Sequence, residues 1–338
     1  MTTLDLARPS RRLHLNPILA YSLKRILWGI LTLWIVSIAV FAATVVLPGS
    51  AASSILGMNA TPEAVAALEH AMRLDQPLVS QYIYWFTNLL HGDLGQSLGG
   101  LTMGGDGRSV GSVISTPLQN SLILAAVATV ILIPLSIFLG VVLATRAGSW
   151  LDHGTSATTL VAISLPEFVV GTILIVIFAT KFQLVPATSI IPDGQSPLAT
   201  PNILVLPVIT LLAVTLAASV RMIRAGVSES LRSDSVMAAR LGGVPERRVL
   251  YKYALRNGLA PGVQVLVLSM QWLLGGIVIT EFVFGYRGIG QLLVNSINIR
   301  DVPTVQAIAL LLAAIYIGLN IIGDIVTVLL VPKLRNAP

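Results

Sequence analysis

The chain has 338 residues, is 55% hydrophobic and only 11% charged, carries a formal net charge of +6 and contains no cysteine. A soluble domain has about 25% charged residues, so this composition is that of a polytopic membrane protein. Without cysteine there is no disulfide framework and no thiolate metal site, and the basic excess sits in loops where membrane topology explains it without nucleic acid.

Six apolar runs are long enough to span, at residues 26–47, 121–144, 158–180, 203–220, 263–284 and 305–331. About 20 residues cross the hydrocarbon. Residues 1–25 read as a cytoplasmic segment ending in Lys24-Arg25. The small residues Ser50-Ala51-Ala52 resemble a cleavage site, but the first apolar run exceeds a signal peptide's core and reads as an uncleaved anchor. The next 73 residues, 48–120, form the largest outer segment. Within it, residues 61–74 are amphipathic and open with Thr61-Pro62-Glu63 as cap and first turn. Residues 82–90 carry Tyr82, Tyr84, Trp85 and Phe86 and suit an interfacial helix. Residues 95–112, rich in Gly and Ser, read as a flexible loop. Two readings stay open for this outer segment: packing on the ends of the spans, or contact with substrate.

Residues 121–331 are the remaining transmembrane core, with a cytoplasmic stretch at 221–261 and a cytoplasmic tail at 332–338. Sixteen of the 21 Lys and Arg residues fall inside if the N-terminus is cytoplasmic; Arg73, Arg108, Lys181, Arg287 and Arg300 are the others. That asymmetry requires an even number of spans with both termini inside.

Three spans carry polar groups that need partners. Glu167, beside Pro166, lies near the middle of the third run and should face protein or water, because a carboxylate at the bilayer centre costs about 2.5 kcal/mol or more. It either meets the cationic end of a substrate or bonds to a neighbouring helix. Glu281, near the outer end of the fifth run, reads as a structural ion-pair partner, for instance of Arg300. Asn320 and Asp324 are four residues apart and share a helix face. Helix–helix hydrogen bonding is the favoured reading for them and for Gln271.

The segment 228–261, SESLRSDSVMAARLGGVPERRVLYKYALRNGLAP, is basic and helical, with one break at Gly242-Gly243-Val244-Pro245. Gly243 suits a left-handed helix stop, and Pro245 suits the first position of a second helix with Glu246 at its positive end. On physics alone it is either a docking unit or a solvated basic loop.

Enzyme apparatus is missing from the sequence. None of the four lysines follows a glycine, so there is no phosphate-binding loop. The four histidines lie outside the apolar runs without metal-ligand spacing, and no nucleophile-elbow motif occurs. No catalytic residue and no metal site are expected.

Met237-Ala238-Ala239, with Gly243 four residues after Ala239, resembles the EAA loop of ABC-importer permeases. Ala239-Arg240, Gly243, Arg247-Arg248-Val249-Leu250 and Leu255-Arg256-Asn257 resemble the peptide-importer version of it. Gly92-Asp93-Leu94-Gly95-Gln96-Ser97 resembles the outer-loop motif of that branch. Ser164, Pro166 and Phe168 resemble its S-x-P-x-F. Glu281-Phe282-Val283-Phe284 with Gly288-Ile289-Gly290 resembles its E-x-x-F…G-x-G. Arg300-Asp301-Val302-Pro303 and the pair Asn320 and Asp324 continue the likeness, which covers residues 23–335. Departures include Met237 in place of a charged or polar residue, Gly242 in place of lysine and Val331-Pro332-Lys333 in place of D-P-R.

The order and spacing match the first permease subunit of dipeptide and oligopeptide importers. The resemblance implies an all-α permease fold with six transmembrane helices in the inner membrane. It implies a homologous second permease subunit, two ABC ATPase subunits that bind ATP and magnesium, and an extracytoplasmic substrate-binding protein, with lipid around the spans and a peptide as substrate. It makes Ala238, Ala239, Arg240, Gly243, Arg247 and Arg248 the ATPase-coupling residues, with the arginines pairing to acidic rims and the alanines allowing close approach. Glu167 and Gln271 are the pathway candidates. A secondary transporter would need inverted repeats and coupling-ion carboxylates near the midplane, of which Glu167 is the sole candidate. A membrane scaffold without transport is the third class.

Overall fold

The computed structural model describes residues 17–45, 61–71, 73, 75–97, 108–150, 154, 164–192 and 194–330. Among these the chain is helical, with one isolated bridge between Gln96 and Ser109. Helices are what a bilayer allows, because each backbone N–H and C=O is satisfied within the segment. The elements are α1 (Pro17–Val45), α2 (Pro62–Ala71), α3 (Leu78–Leu90), α4 (Val110–Thr145), α5 (Glu167–Leu174) with a π-helical extension (Ile175–Lys181), α6 (Val205–Leu231) and α7 (Asp234–Leu241). Then come α8 (Glu246–Arg248, continuing through Val249–Ala254 and Leu255–Gly258), α9 (Ala260–Phe284), α10 (Ile289–Asn298) and α11 (Val302–Leu330).

Five of these, α1, α4, α6, α9 and α11, are long and apolar enough to cross a membrane. The expected third span, 158–180, lies partly outside the described residues; its described part is α5 with its extension, opened by Pro166 in extended conformation. The expected terminal segments lie partly outside them as well.

α6 is the axis of the molecule. It packs against α4, α5, α8 and α9, and 67% of its most apolar window is buried, against 6% for α1. The main core joins Leu124, Leu132, Leu211, Ile223, Leu273 and Tyr286. Close approach is bought with glycine: a Cβ at Gly258 would collide with the backbone of Val227. Span hydroxyls hide by donating to carbonyls of the preceding turn, as Ser136 does to Leu132 and Thr215 to Leu211. Ser219 and Ser269 meet at 2.8 Å between α6 and α9.

Helices α4 and α6 run further than the hydropathy showed. α4 starts at Val110, eleven residues before the expected span, with Ser109 as its cap. α6 continues to Leu231 and carries the core out of the bilayer to the basic segment. The loop 95–112 is held at its base, where Ser97 N–H donates to Arg108 and Val110 N–H to Gly95. α3 places Tyr82, Trp85 and Phe86 together with Phe41 of α1, and the Tyr82 hydroxyl meets Ser37 Oγ at 2.9 Å. Its aromatic face therefore packs on a span, which is the packing reading of the outer segment.

Candidate coupling, anchoring and pathway sites

The basic segment folds as two short helices at an angle. α7 ends at Gly242, and Gly243 has φ +73°. Gly243 N–H donates to Arg240 and Val244 N–H to Ala239, which closes the last carbonyls of α7 in a Schellman arrangement. Nothing lies within 4 Å of where a Gly243 side chain would start, so its requirement is backbone conformation alone. Pro245 stands one place earlier than the sequence implied, as the N-cap before Glu246 with ψ 142°.

Two expectations about this unit change. Ala239 is buried in its own chain, in a cluster with Val236, Val249 and Ala254. Residues three apart on one face must both point inward, so Ala239 follows Val236. Arg240 is engaged by Glu246 across the turn, with Nε–Oε1 at 2.7 Å and a second contact at 3.3 Å. A partner carboxylate therefore competes with an internal one. What the helix presents outward is Ala238, Arg247 and Arg248, with Met237 57% and Leu241 83% exposed. The residue at the departure from the charged motif position is thus half of an exposed apolar pair one turn apart.

Glu281 is fully buried and belongs to a hydrogen-bonded anchor rather than to the expected structural ion pair. Its carboxylate accepts from Ser121 Oγ, from Gly290 N–H at 2.7 Å and from Gln291 N–H at 3.4 Å. Ser121 Oγ in turn accepts from Ile289 N–H at 2.8 Å. The carboxylate thereby caps the N-terminus of α10, where the helix dipole favours negative charge. The expected partner, Arg300, is exposed and forms no ion pair with it among the described residues. A side chain at Gly288 would overlap the Glu281 carboxylate, and one at Gly290 would overlap Val278, which explains the G-x-G spacing. Tyr286, also buried, donates to the Asn120 carbonyl at 2.7 Å, and Asn120 Nδ2 donates to the Arg287 carbonyl at 2.8 Å. Asn120 and Ser121 were not singled out in the sequence. Two adjacent polar residues at the start of an apolar run were the available signal.

The outer-loop motif closes beside this anchor. Ser97 Oγ donates to Asp301 at 2.5 Å, and Thr304 Oγ1 donates to the same oxygen at 2.8 Å, all three residues being buried. Asp301 thus caps α11 and ties it to residues 92–97. At the inner side, Asp324 forms an ion pair with Arg25 between α11 and α1. This is a contact between helices, as expected of Asp324, and Asn320 lines the same groove.

The two pathway candidates come together. Glu167, at the first turn of α5, and Gln271, on α9, line one cavity of about 770 Å³. Phe168, Trp272, Gly275, Gly276 and Tyr316 complete much of its wall. One Glu167 carboxylate oxygen is buried without a hydrogen-bond partner, and so is the Gln271 amide nitrogen, in a side chain only 5% exposed. The expected bond from Gln271 to a neighbouring helix is not made by that nitrogen. A Cβ at Gly276 would stand 2.5–2.6 Å from the Glu167 oxygens, so glycine provides the room they occupy. The cavity opens beside the exposed face of α9 that carries Leu268, Trp272, Ile279 and Phe282, residues three, four or seven apart on one helix side.

Comparison with known proteins agrees with this architecture. Residues 136–336 match the family described as the binding-protein-dependent transport system inner membrane component, and residues 18–112 match the N-terminal model of the same systems. A Brucella abortus (strain 2308) protein, named as a peptide transport system permease, is 34% identical over 316 residues, covering 94% of this chain and 99% of that one. The glutathione transport system permease protein GsiC of Escherichia coli (strain K12) is 32% identical over 317 residues, covering 94% and 99%. A Sinorhizobium fredii protein named as a peptide ABC transporter permease is 29% identical over 315 residues, covering 93% and 99%. A multi-pass inner-membrane chain with this helical core, matched over most of its length, belongs to the binding-protein-dependent transport system inner membrane component family, the permeases of ABC importers.

Proposed function

We propose that this chain, with a homologous second permease subunit, forms the pathway by which short peptides enter the cytoplasm. Two ATPase subunits binding ATP and magnesium drive the cycle, and an extracytoplasmic substrate-binding protein delivers the peptide. The carrying observation is similarity along nearly the whole chain to permeases named for peptide and glutathione transport. Both termini lie on the cytoplasmic side, with six helices crossing the lipid. The α7–α8 unit docks on an ATPase subunit through Met237, Ala238 and Leu241, rimmed by Arg240, Arg247 and Arg248. A short helix seated in a groove transmits rigid-body motion, and the Gly243 turn holds the angle between the two helices. Glu281 and Asp301 keep the outer ends of α9, α10 and α11 together while the inner side moves.

The test is reconstitution in vesicles. Peptide uptake is expected only with ATP, the partner subunits and the binding protein, and the purified chain alone neither binds nor hydrolyses ATP. Uptake by this single chain driven by a proton or sodium gradient overturns the reading in favour of a secondary transporter.

A further inference from the structure

We propose that the cavity around Glu167 is a cation-selective subsite of the pathway: it holds a basic side chain of the peptide against the Glu167 carboxylate and favours peptides of net positive over net negative charge. The inference rests on the peptide-permease reading and adds the substrate's charge class.

Three features of the cavity carry it. Among the described residues Glu167 is the one charged residue lining it, and no lysine or arginine joins it there. A negative group entering this space meets no opposite charge, whereas a positive group meets one. Aromatic residues share the cavity with the carboxylate: Phe168, Trp272 and Tyr316 line it, and each is exposed. Aromatic faces attract ammonium groups and do not attract carboxylates. The third feature is polar supply. The Gln271 amide nitrogen is a buried donor without a partner, suited to a peptide carbonyl oxygen, and it shares the cavity with an acceptor, Glu167, that also lacks one. A donor for carbonyls beside an acceptor for ammonium suits a peptide carbonyl next to a basic side chain. The volume of about 770 Å³ is that of a small-ligand site rather than of a packing defect.

The structure also accounts for why the carboxylate stays available. Gly276 leaves it space, and no hydroxyl or amide of α6 or α9 takes up its buried oxygen. Had the group served only to hold helices together, it would resemble Glu281, whose two oxygens are both occupied.

The experiment uses the reconstituted transporter with three alanine tripeptides carrying lysine, alanine or glutamate at the centre. The binding protein is saturating, and its affinity for each peptide is measured separately. For Glu167→Gln, the lysine-to-glutamate uptake ratio is expected to fall about tenfold, the worth of one charge-assisted contact. For Gln271→Glu, which adds a second carboxylate, the ratio is expected to rise. An unchanged ratio in Glu167→Gln, or an equal loss for all three peptides, overturns the subsite. If Glu167→Gln prevents assembly, Gln271→Glu decides alone, and an unchanged ratio there overturns it. Absence of ATP-driven uptake of every peptide by the unaltered transporter instead sinks the peptide-permease reading.

Discussion

Glu281 and Glu167 are carboxylates of the same chemistry on apolar helices of the same chain, and their surroundings differ in one respect. Glu281 has both oxygens occupied, by Ser121 and by the first backbone N–H groups of α10, and it is shielded completely. Glu167 keeps a buried oxygen without a partner at the edge of an aromatic-lined cavity. Burial alone does not separate an anchored acid from one that faces a cavity. The bonding of each oxygen does, since a buried polar group is either satisfied by its neighbours or retained at a cost for something else. Neither role was visible from hydropathy, which marks both as intrusions in an apolar run.

The comparison breaks most sharply at Glu281. Glu281→Ala leaves the Ser121 hydroxyl and the Gly290 and Gln291 N–H groups without their acceptor. It is expected to cost roughly 3–5 kcal/mol and to lower both the melting midpoint of the solubilised chain and its assembly with partners. A melting midpoint equal to that of the parent would show that the anchor is dispensable. Glu167→Leu is expected to behave in the opposite sense. Removing an unsatisfied carboxylate from an apolar span should leave the melting midpoint unchanged or raise stability by roughly 1–3 kcal/mol, while uptake falls. Destabilisation in that variant would place Glu167 with Glu281 as a helix-bonding residue. A small effect on stability belongs to the Gly243 turn. Gly243→Asp is expected to cost about 1 kcal/mol through backbone conformation, with normal membrane insertion. Its functional effect should be large: weaker pull-down of the ATPase subunits, or hydrolysis no longer coupled to transport. Normal pull-down, coupling and transport together would leave 228–261 a solvated loop.

The α7–α8 unit shows how far a pattern reaches. The Gly-Gly-Val-Pro break was legible because glycine tolerates positive φ and proline favours a helix start, both local properties of the chain. The inward turn of Ala239 was also implicit in its spacing from Val236, but the resemblance to a docking motif drew attention to it as a surface residue. The pair between Arg240 and Glu246 was hidden, because whether two side chains six residues apart meet depends on the turn angle between helices. At the outer side, residues 92–97, 281–290 and 300–303 were each recognisable, yet their meeting was not. Ser97 and Asp301 are 204 residues apart, and Ser121 and Glu281 are 160 apart.

By itself the sequence determined the membrane class, most of the spans, the orientation expected from Lys and Arg, and the family, because hydropathy, loop charge and motif order are properties of the chain read in one dimension. It also determined the turn at Gly243. Tertiary structure alone decided which carboxylate is anchored and which faces a cavity, that Gln271 shares that cavity with Glu167, and that Arg25 answers Asp324. Those outcomes depend on how α1, α4, α5, α9, α10 and α11 are packed together. A helix period states which residues share a face, and only the neighbouring helices decide what that face meets.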